Sequence, residues 1–189
     1  MRVPLHSCIS RRRLIERSAA TFTSVGLSFQ ALRSAAAQGL TVSKLRRDWH
    51  FCYKCAVMFY ADGTPNVCAA DGKQHVARGN NFTLPFDVPD GATAQSKWYS
   101  CKYCRALIFG GYPQSGRCPA TRGGHQFDKT FHYVLPHDIA VTAKSQNRWR
   151  YCGKCFSMFY DGDAAKGICA ADKQGHVAQG YDFVLPFDR

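Results

Sequence analysis

From residue 49 onward, apolar and polar positions return three times in the same order. The first copy, residues 49–87, opens Trp49-His50-Phe51-Cys52-Tyr53-Lys54-Cys55 and closes Phe82-Thr83-Leu84-Pro85-Phe86-Asp87. The second, 98–138, opens Trp98-Tyr99-Ser100-Cys101-Lys102-Tyr103-Cys104 and closes Tyr133-Val134-Leu135-Pro136-His137-Asp138. The third, 149–189, opens Trp149-Arg150-Tyr151-Cys152-Gly153-Lys154-Cys155 and closes Phe183-Val184-Leu185-Pro186-Phe187-Asp188. Between these ends each copy keeps an apolar triplet: Met58-Phe59-Tyr60, Leu107-Ile108-Phe109 and Met158-Phe159-Tyr160. All three tryptophans of the chain occupy one column of this pattern, so the repeat is secure.

The columns predict elements. Trp-x-x-Cys reads as a short strand entering a Cys-x-x-Cys knuckle, and the triplet as a returning strand of residues that suit a pleated surface. A Gly/Asp/Pro loop follows, then a third short strand carrying the next cysteine. The closing Phe-x-Leu-Pro or Tyr-x-Leu-Pro is a last strand stopped by proline. The links Val88–Lys97 and Ile139–Arg148 are polar and need no helix. Composition agrees: Glu16 is the sole glutamate and all twelve later acids are aspartate, a turn former. The fold class is therefore all-β. Three copies of four short strands suggest a closed pseudo-threefold, β-trefoil-like domain, in which the Trp and Leu-Pro columns are buried against neighbouring copies. Three zinc-ribbon-like beads in tandem are the alternative.

Chemistry enters through the cysteines. Nine of ten lie in the repeats, three per copy, each set with one position-matched histidine. The sets are Cys52, Cys55, Cys68, His75; Cys101, Cys104, Cys118, His125; and Cys152, Cys155, Cys169, His176. A Cys-x-x-Cys turn brings two sulfurs to one ion at ~2.3 Å, and a sulfur and an imidazole from a second turn complete a tetrahedron. Three soft thiolates with one imidazole select zinc, and a site filled by four protein ligands is structural. Three zinc ions are thus expected. Disulfides are the rival, but three thiols per copy cannot pair within the copy and leave the histidine column unexplained. Iron–sulfur ligation is a further alternative, for which one histidine per three cysteines is unusual. A unit of roughly 40 residues seldom buries enough apolar surface to fold alone.

Charge changes the picture little. The full chain is formally +12, yet six of its basic residues lie in the first 38, leaving residues 39–189 with 19 bases against 12 acids. Three zinc-bound thiolate sets would bring that part to about +4, which neither demands nor excludes a polyanionic partner. The basic residues ahead of it belong to another kind of segment. Ser10-Arg11-Arg12-Arg13-Leu14-Ile15, the weakly apolar Ser18–Leu32 and Ala35-Ala36-Ala37 resemble a bacterial twin-arginine export signal cut after Ala37. The family usually has Phe where Leu14 stands and often Lys where Glu16 stands. A mitochondrial presequence and a plain basic tail are the alternatives. The division is then 1–37 signal, 38–48 lead-in and three repeats.

The repeat itself resembles modules of exported, mostly uncharacterised bacterial proteins, with a zinc-ribbon-like knuckle. The trailing Cys-x6-His departs from a ribbon with two Cys-x-x-Cys knuckles. The resemblance covers residues 49–189 and implies an exported life, periplasmic or secreted, without an activity.

For function, the sequence offers no Ser-His-Asp order, no open metal site and no glutamate pair, so an enzyme is not expected. The expectation is a non-catalytic binding module for a glycan or other cell-surface polymer, where repetition adds weak contacts through avidity. Tyr60, Phe109 and Tyr160 with Asp62 and Asp161 are the ligand candidates, and ordinary strand packing is their plain alternative. Nucleic-acid binding through knuckle lysines Lys54, Lys102 and Lys154 is the second hypothesis. The sequence carries no transmembrane segment and gives no oligomeric state.

Overall fold

Each repeat forms an antiparallel three-stranded unit in the same way. The computed structural model describes residues 44–188; the export signal expected over 1–37 lies outside the described residues. Repeat 1 contains β1 (Leu45–Cys52), β2 (Met58–Tyr60) and β3 (Ala77–Pro85). Repeat 2 contains β4 (Ala94–Cys101), β5 (Leu107–Phe109) and β6 (Phe127–Pro136). Repeat 3 contains β7 (Ser145–Cys152), β8 (Met158–Tyr160) and β9 (Ala178–Asp188). In every copy the first strand lies between the short second and the long third.

The strands begin four residues upstream of each tryptophan, earlier than the repeat boundaries read from the sequence. The reason is a bulge. Asp48, Lys97 and Arg148, each just before a Trp, have φ of 68°, 66° and 63°, and the register breaks there. The bulge re-aims the strand so that Trp49, Trp98 and Trp149 drop fully into the core. The amides at two bulges find side-chain acceptors: Asp48 N–H donates to Asn81 Oδ1 and Arg148 N–H to Asp182 Oδ1.

Three strands per repeat replace the expected four. Cys68, Cys118 and Cys169 lie in turns, because their backbone groups close onto their own segment: Cys68 N–H donates to Lys73 O at 2.7 Å and Gly72 N–H to Cys68 O at 2.9 Å. Nothing is left for a partner strand. Pro85 and Pro136 end their strands as expected, while β9 continues past Pro186 to Asp188.

The ring of repeats closes, so the description as tandem beads does not hold. At the knuckle end, Tyr60 N–H donates to Arg105 O, Phe109 N–H to Phe156 O and Tyr160 N–H to Ala56 O. At the other end Phe86 bridges Tyr133, His137 bridges Phe183, and Phe187 pairs with Phe82 in a six-stranded sheet, β2-β1-β3-β9-β7-β8. The second repeat forms the smaller sheet β5-β4-β6 and joins through isolated bridges. The fold is all-β, a nearly closed, barrel-like sheet completed by a smaller one.

The interior has two layers. One holds the nine cysteines with Val57, Phe59, Ala106, Ile108 and Phe159. The other holds the tryptophans with Phe82, Tyr133, Phe183 and the closing leucines. Here too the contacts run in a cycle: Trp49 meets Tyr133 edge-on at 5.0 Å, Trp98 meets Phe183 at 5.2 Å and Trp149 meets Phe82 at 5.0 Å. Each tryptophan thus packs on the next repeat's closing strand.

Candidate metal centres

Both ligand-bearing turns of a repeat have the same backbone form. In the first, Ala56 N–H donates to Cys52 O and Cys52 N–H to Val57 O; in the second, Gly72 and Lys73 stand in the same relation to Cys68. Repeats 2 and 3 reproduce both turns. The residue four past each leading cysteine is left-handed: Ala56, Arg105 and Phe156 in the first turn, Gly72, Arg122 and Lys173 in the second. Each repeat is therefore two knuckles. The second lacks a cysteine three residues on, where Asp71, Thr121 and Asp172 stand, and the fourth ligand comes instead from the histidine seven residues on. This duplication carries no sequence signature, since most of its left-handed positions are not glycine. In two repeats the substitute aspartate clamps the knuckles together: Lys54 Nζ pairs with Asp71 and Lys154 Nζ with Asp172, both at 2.7 Å.

All twelve ligands expected from the sequence come together as three separate buried clusters, with the donor atoms of each within 4.8 Å of one another. A tetrahedral zinc with ~2.3 Å bonds to sulfur and ~2.0 Å to nitrogen sets sulfurs ~3.8 Å apart and sulfur ~3.5 Å from nitrogen. The observed Cys52–Cys68, Cys101–Cys118 and Cys152–Cys169 sulfur separations are all 3.9 Å. The Nδ1 atoms of His75, His125 and His176 lie 3.4, 3.5 and 3.5 Å from the sulfurs of Cys55, Cys104 and Cys155. All nine cysteines are free, so the disulfide alternative fails. The donor sets fit three structural zinc ions.

What orients the imidazoles was invisible in the sequence. His75 Nε2–H donates to Cys104 O at 3.2 Å, His125 to Cys155 O at 3.1 Å and His176 to Cys55 O at 3.0 Å. A carbonyl only accepts, so the proton sits on Nε2 and Nδ1 is the ligating nitrogen. Each acceptor is the second cysteine of the next repeat, so every metal centre is oriented by its neighbour. Stacking adds support: Phe59 lies on His75 and Phe159 on His176, each at 4.7 Å. Room for this handover is made by Gly116 and Gly167, at φ of 64° and 63°, where a Cβ would stand 2.3 Å from Cys155 O and Cys55 O. Repeat 1 is one residue shorter here and uses Asn66 Oδ1 to accept the His75 N–H at 2.7 Å. Ser115 O and Lys166 O do this in the other copies.

The electrostatics suit a cation. Burial opposes charge on His125 and His176, yet hydrogen bonds to Cys101 and Cys118, and to Cys152 and Cys169, override it and raise both to about 9. Cys52 and Cys152 are held well below the ordinary thiol range by hydrogen bonds from Cys55 and Cys155, whereas burial pushes Cys104 upward. A dication replaces protons in such a pocket.

The aromatic and acidic ligand candidates divide. Tyr60 is buried against Trp49 at 5.3 Å, whereas Asp62 lies at the surface, paired with Arg105. Asp161 pairs with Lys166 at 2.8 Å. Phe109 and Tyr160 also pack on their tryptophans, but each keeps part of its ring in an inter-repeat cleft. One cleft of about 400 Å³ between repeats 3 and 1 is lined by Tyr160, Phe51, Arg78, Asn80, Gln146 and Asp163, among others. Another of about 470 Å³ lies between repeats 2 and 3.

Comparison with known proteins adds no identity: no family model, no curated protein and no solved structure matches this chain.

Proposed function

We propose that this protein is a non-catalytic binding module, stapled by three zinc ions, that acts on a glycan or another cell-surface polymer outside the cytoplasm. The observation that carries this reading is the cleft between repeats 3 and 1. Tyr160 and Phe51 bring aromatic rings to its wall, and Asn80, Gln146, Arg78 and Asp163 add hydrogen-bonding groups to the lining. A sugar ring needs that combination, an apolar face to stack and hydroxyls to satisfy. The indole N–H of Trp149, which also lines the cleft, is buried without an acceptor.

The non-catalytic part is supported by the metal centres, whose four protein donors leave no position for an activated water. The nucleic-acid reading is weakened because Lys54 and Lys154 are engaged inside the knuckles, bonded to Asp71 and Gln74 O and to Asp172 and Gly175 O. Export rests on the signal-like segment, and mass spectrometry of the mature chain should find Gln38 at its N-terminus.

The test is retention of the zinc-loaded protein on polysaccharide and cell-wall arrays. Saturable retention that falls in Asn80→Ala and Gln146→Ala is expected. No retention on any such surface would remove the reading, and salt-sensitive retention on nucleic acid alone would replace it.

A further inference from the structure

The pseudo-threefold symmetry places three equivalent clefts between neighbouring repeats, and one of them is filled by the protein itself. Between repeats 1 and 2 the Arg46 guanidinium carbon lies 4.5 Å from the centre of the Tyr60 ring and 3.9 Å from that of Phe131. Only about 10 Å³ remains open there. A guanidinium has weakly hydrated faces and donor edges, so a slot between two rings suits it.

Counting from each tryptophan, the counterparts of Arg46 are Gln95 and Gln146, and those of Tyr60 are Phe109 and Tyr160. Counting back two from the core aromatics Tyr133, Phe183 and Phe82, the counterparts of Phe131 are Tyr181 and Asn80. The cleft between repeats 2 and 3 therefore keeps both rings, Phe109 and Tyr181, and lacks the arginine. Gln95 is drawn aside, its Oε1 accepting the Trp98 indole N–H at 3.0 Å. Tyr112 and Tyr151 add two further rings, and the lining carries no basic side chain. Tyr181 is backed by His137, stacked on it at 3.7 Å. On the outer side Asp90 and Lys97 border the same opening. The cleft between repeats 3 and 1 differs on both counts, with Asn80 in place of the second ring and Arg78 in the lining.

We propose that the cleft between repeats 2 and 3 receives an arginine side chain of a polypeptide partner, its guanidinium lying between Phe109 and Tyr181 as that of Arg46 lies between Tyr60 and Phe131. The proposal is independent of the glycan reading, which rests on the other open cleft.

The experiment titrates the zinc-loaded protein, with ¹³C-labelled tyrosine, with capped Gly-Arg-Gly and the isosteric, uncharged Gly-citrulline-Gly. Saturable shifts of Tyr181 and Tyr112 with the arginine peptide are expected, with binding at least ~10-fold weaker for citrulline. Gln95→Arg supplies the slot with its own guanidinium and should abolish binding, while Arg46→Gln should open a second site. Zinc content reports whether each variant is folded. Should Gln95→Arg lose metal, Tyr181→Ala, at a residue 44% exposed in the parent, takes its place. Equal affinity for the two peptides, absence of shifts at Tyr181, or full binding by a folded Gln95→Arg or Tyr181→Ala protein would overturn the proposal.

Discussion

The two layers of this molecule follow the same threefold cycle yet tolerate change differently. In the metal layer every ligand column is invariant across the repeats: three cysteines and a histidine each time. In the aromatic layer the equivalent positions drift between Phe82, Tyr133 and Phe183, and between Tyr60, Phe109 and Tyr160. Coordination demands a donor atom at a fixed distance, whereas packing asks only for shape and volume. At the rim of the aromatic layer divergence is greater: Arg46 stands where the other repeats have Gln95 and Gln146, and Phe131, Tyr181 and Asn80 differ at a second position, giving three clefts of different chemistry. Rigidity is concentrated at one end, and the freedom to acquire specificity at the other.

Metal removal should break this comparison most sharply. A structural zinc contributes about 10–16 kcal/mol in small finger peptides, more than most domains possess in total. Chelation is expected to abolish the near-ultraviolet signal of the tryptophans as well, although they lie in the other layer. The handover of His176 to Cys55 O and its two counterparts implies that loss is not confined to one repeat. Cys155→Ser should release more than one of three zinc equivalents, as counted by elemental analysis. Loss of one equivalent with the rest intact would show three independent staples.

Acid should act on the same layer, one step smaller. Below a pKa of about 9, His125 carries a proton that zinc must displace, and Cys104, raised by burial, carries another. Binding in repeat 2 then releases two protons, so affinity rises with pH and falls as pH drops. Each proton is worth about 1.4 kcal/mol per pH unit, so lowering pH from 7.5 to 5.5 costs roughly 5 kcal/mol at the repeat 2 site. Zinc released to a chromogenic chelator against pH measures it; a pH-independent affinity would exclude proton displacement. In the aromatic layer, Trp98→Ala should cost about 3–5 kcal/mol through its cavity and the lost contact with Phe183. It should lower the unfolding midpoint while the native protein keeps three zinc ions.

The same contrast explains what was legible in the sequence. Cys52 to His176 were readable because coordination fixes residue type and spacing together. The strand count was not, because the second knuckle satisfies its own backbone through left-handed residues such as Arg122 and Lys173, which carry no turn signature. Nor was the direction in which Tyr60 points: in a three-residue strand, a ring aimed at the core and one aimed at a cleft read alike. The bond from His75 to Cys104 O joins a side chain to a backbone atom in another repeat, and no spacing encodes it. Arg46 reads as one surface charge among many until Phe131 is brought over it.

The left-handed column supplies the mildest test. Gly72, Arg122 and Lys173 occupy one position of the second knuckle with φ of 72°, 58° and 63°. A side chain in that conformation costs roughly 1–2 kcal/mol, and glycine returns about half of this through the unfolded chain's entropy. Lys173 recovers some of the strain, since its Nζ donates to Ala69 O at 2.7 Å, whereas Arg122 is exposed at its turn. Arg122→Gly should therefore stabilise the protein by about 0.5–1 kcal/mol, and Lys173→Gly should leave it unchanged or weaker. Denaturant unfolding of the zinc-loaded variants reads the difference. If both glycines destabilise equally, backbone strain in the second knuckle is not what separates repeat 1 from its neighbours, and the metal layer is as uniform energetically as it is in its ligands.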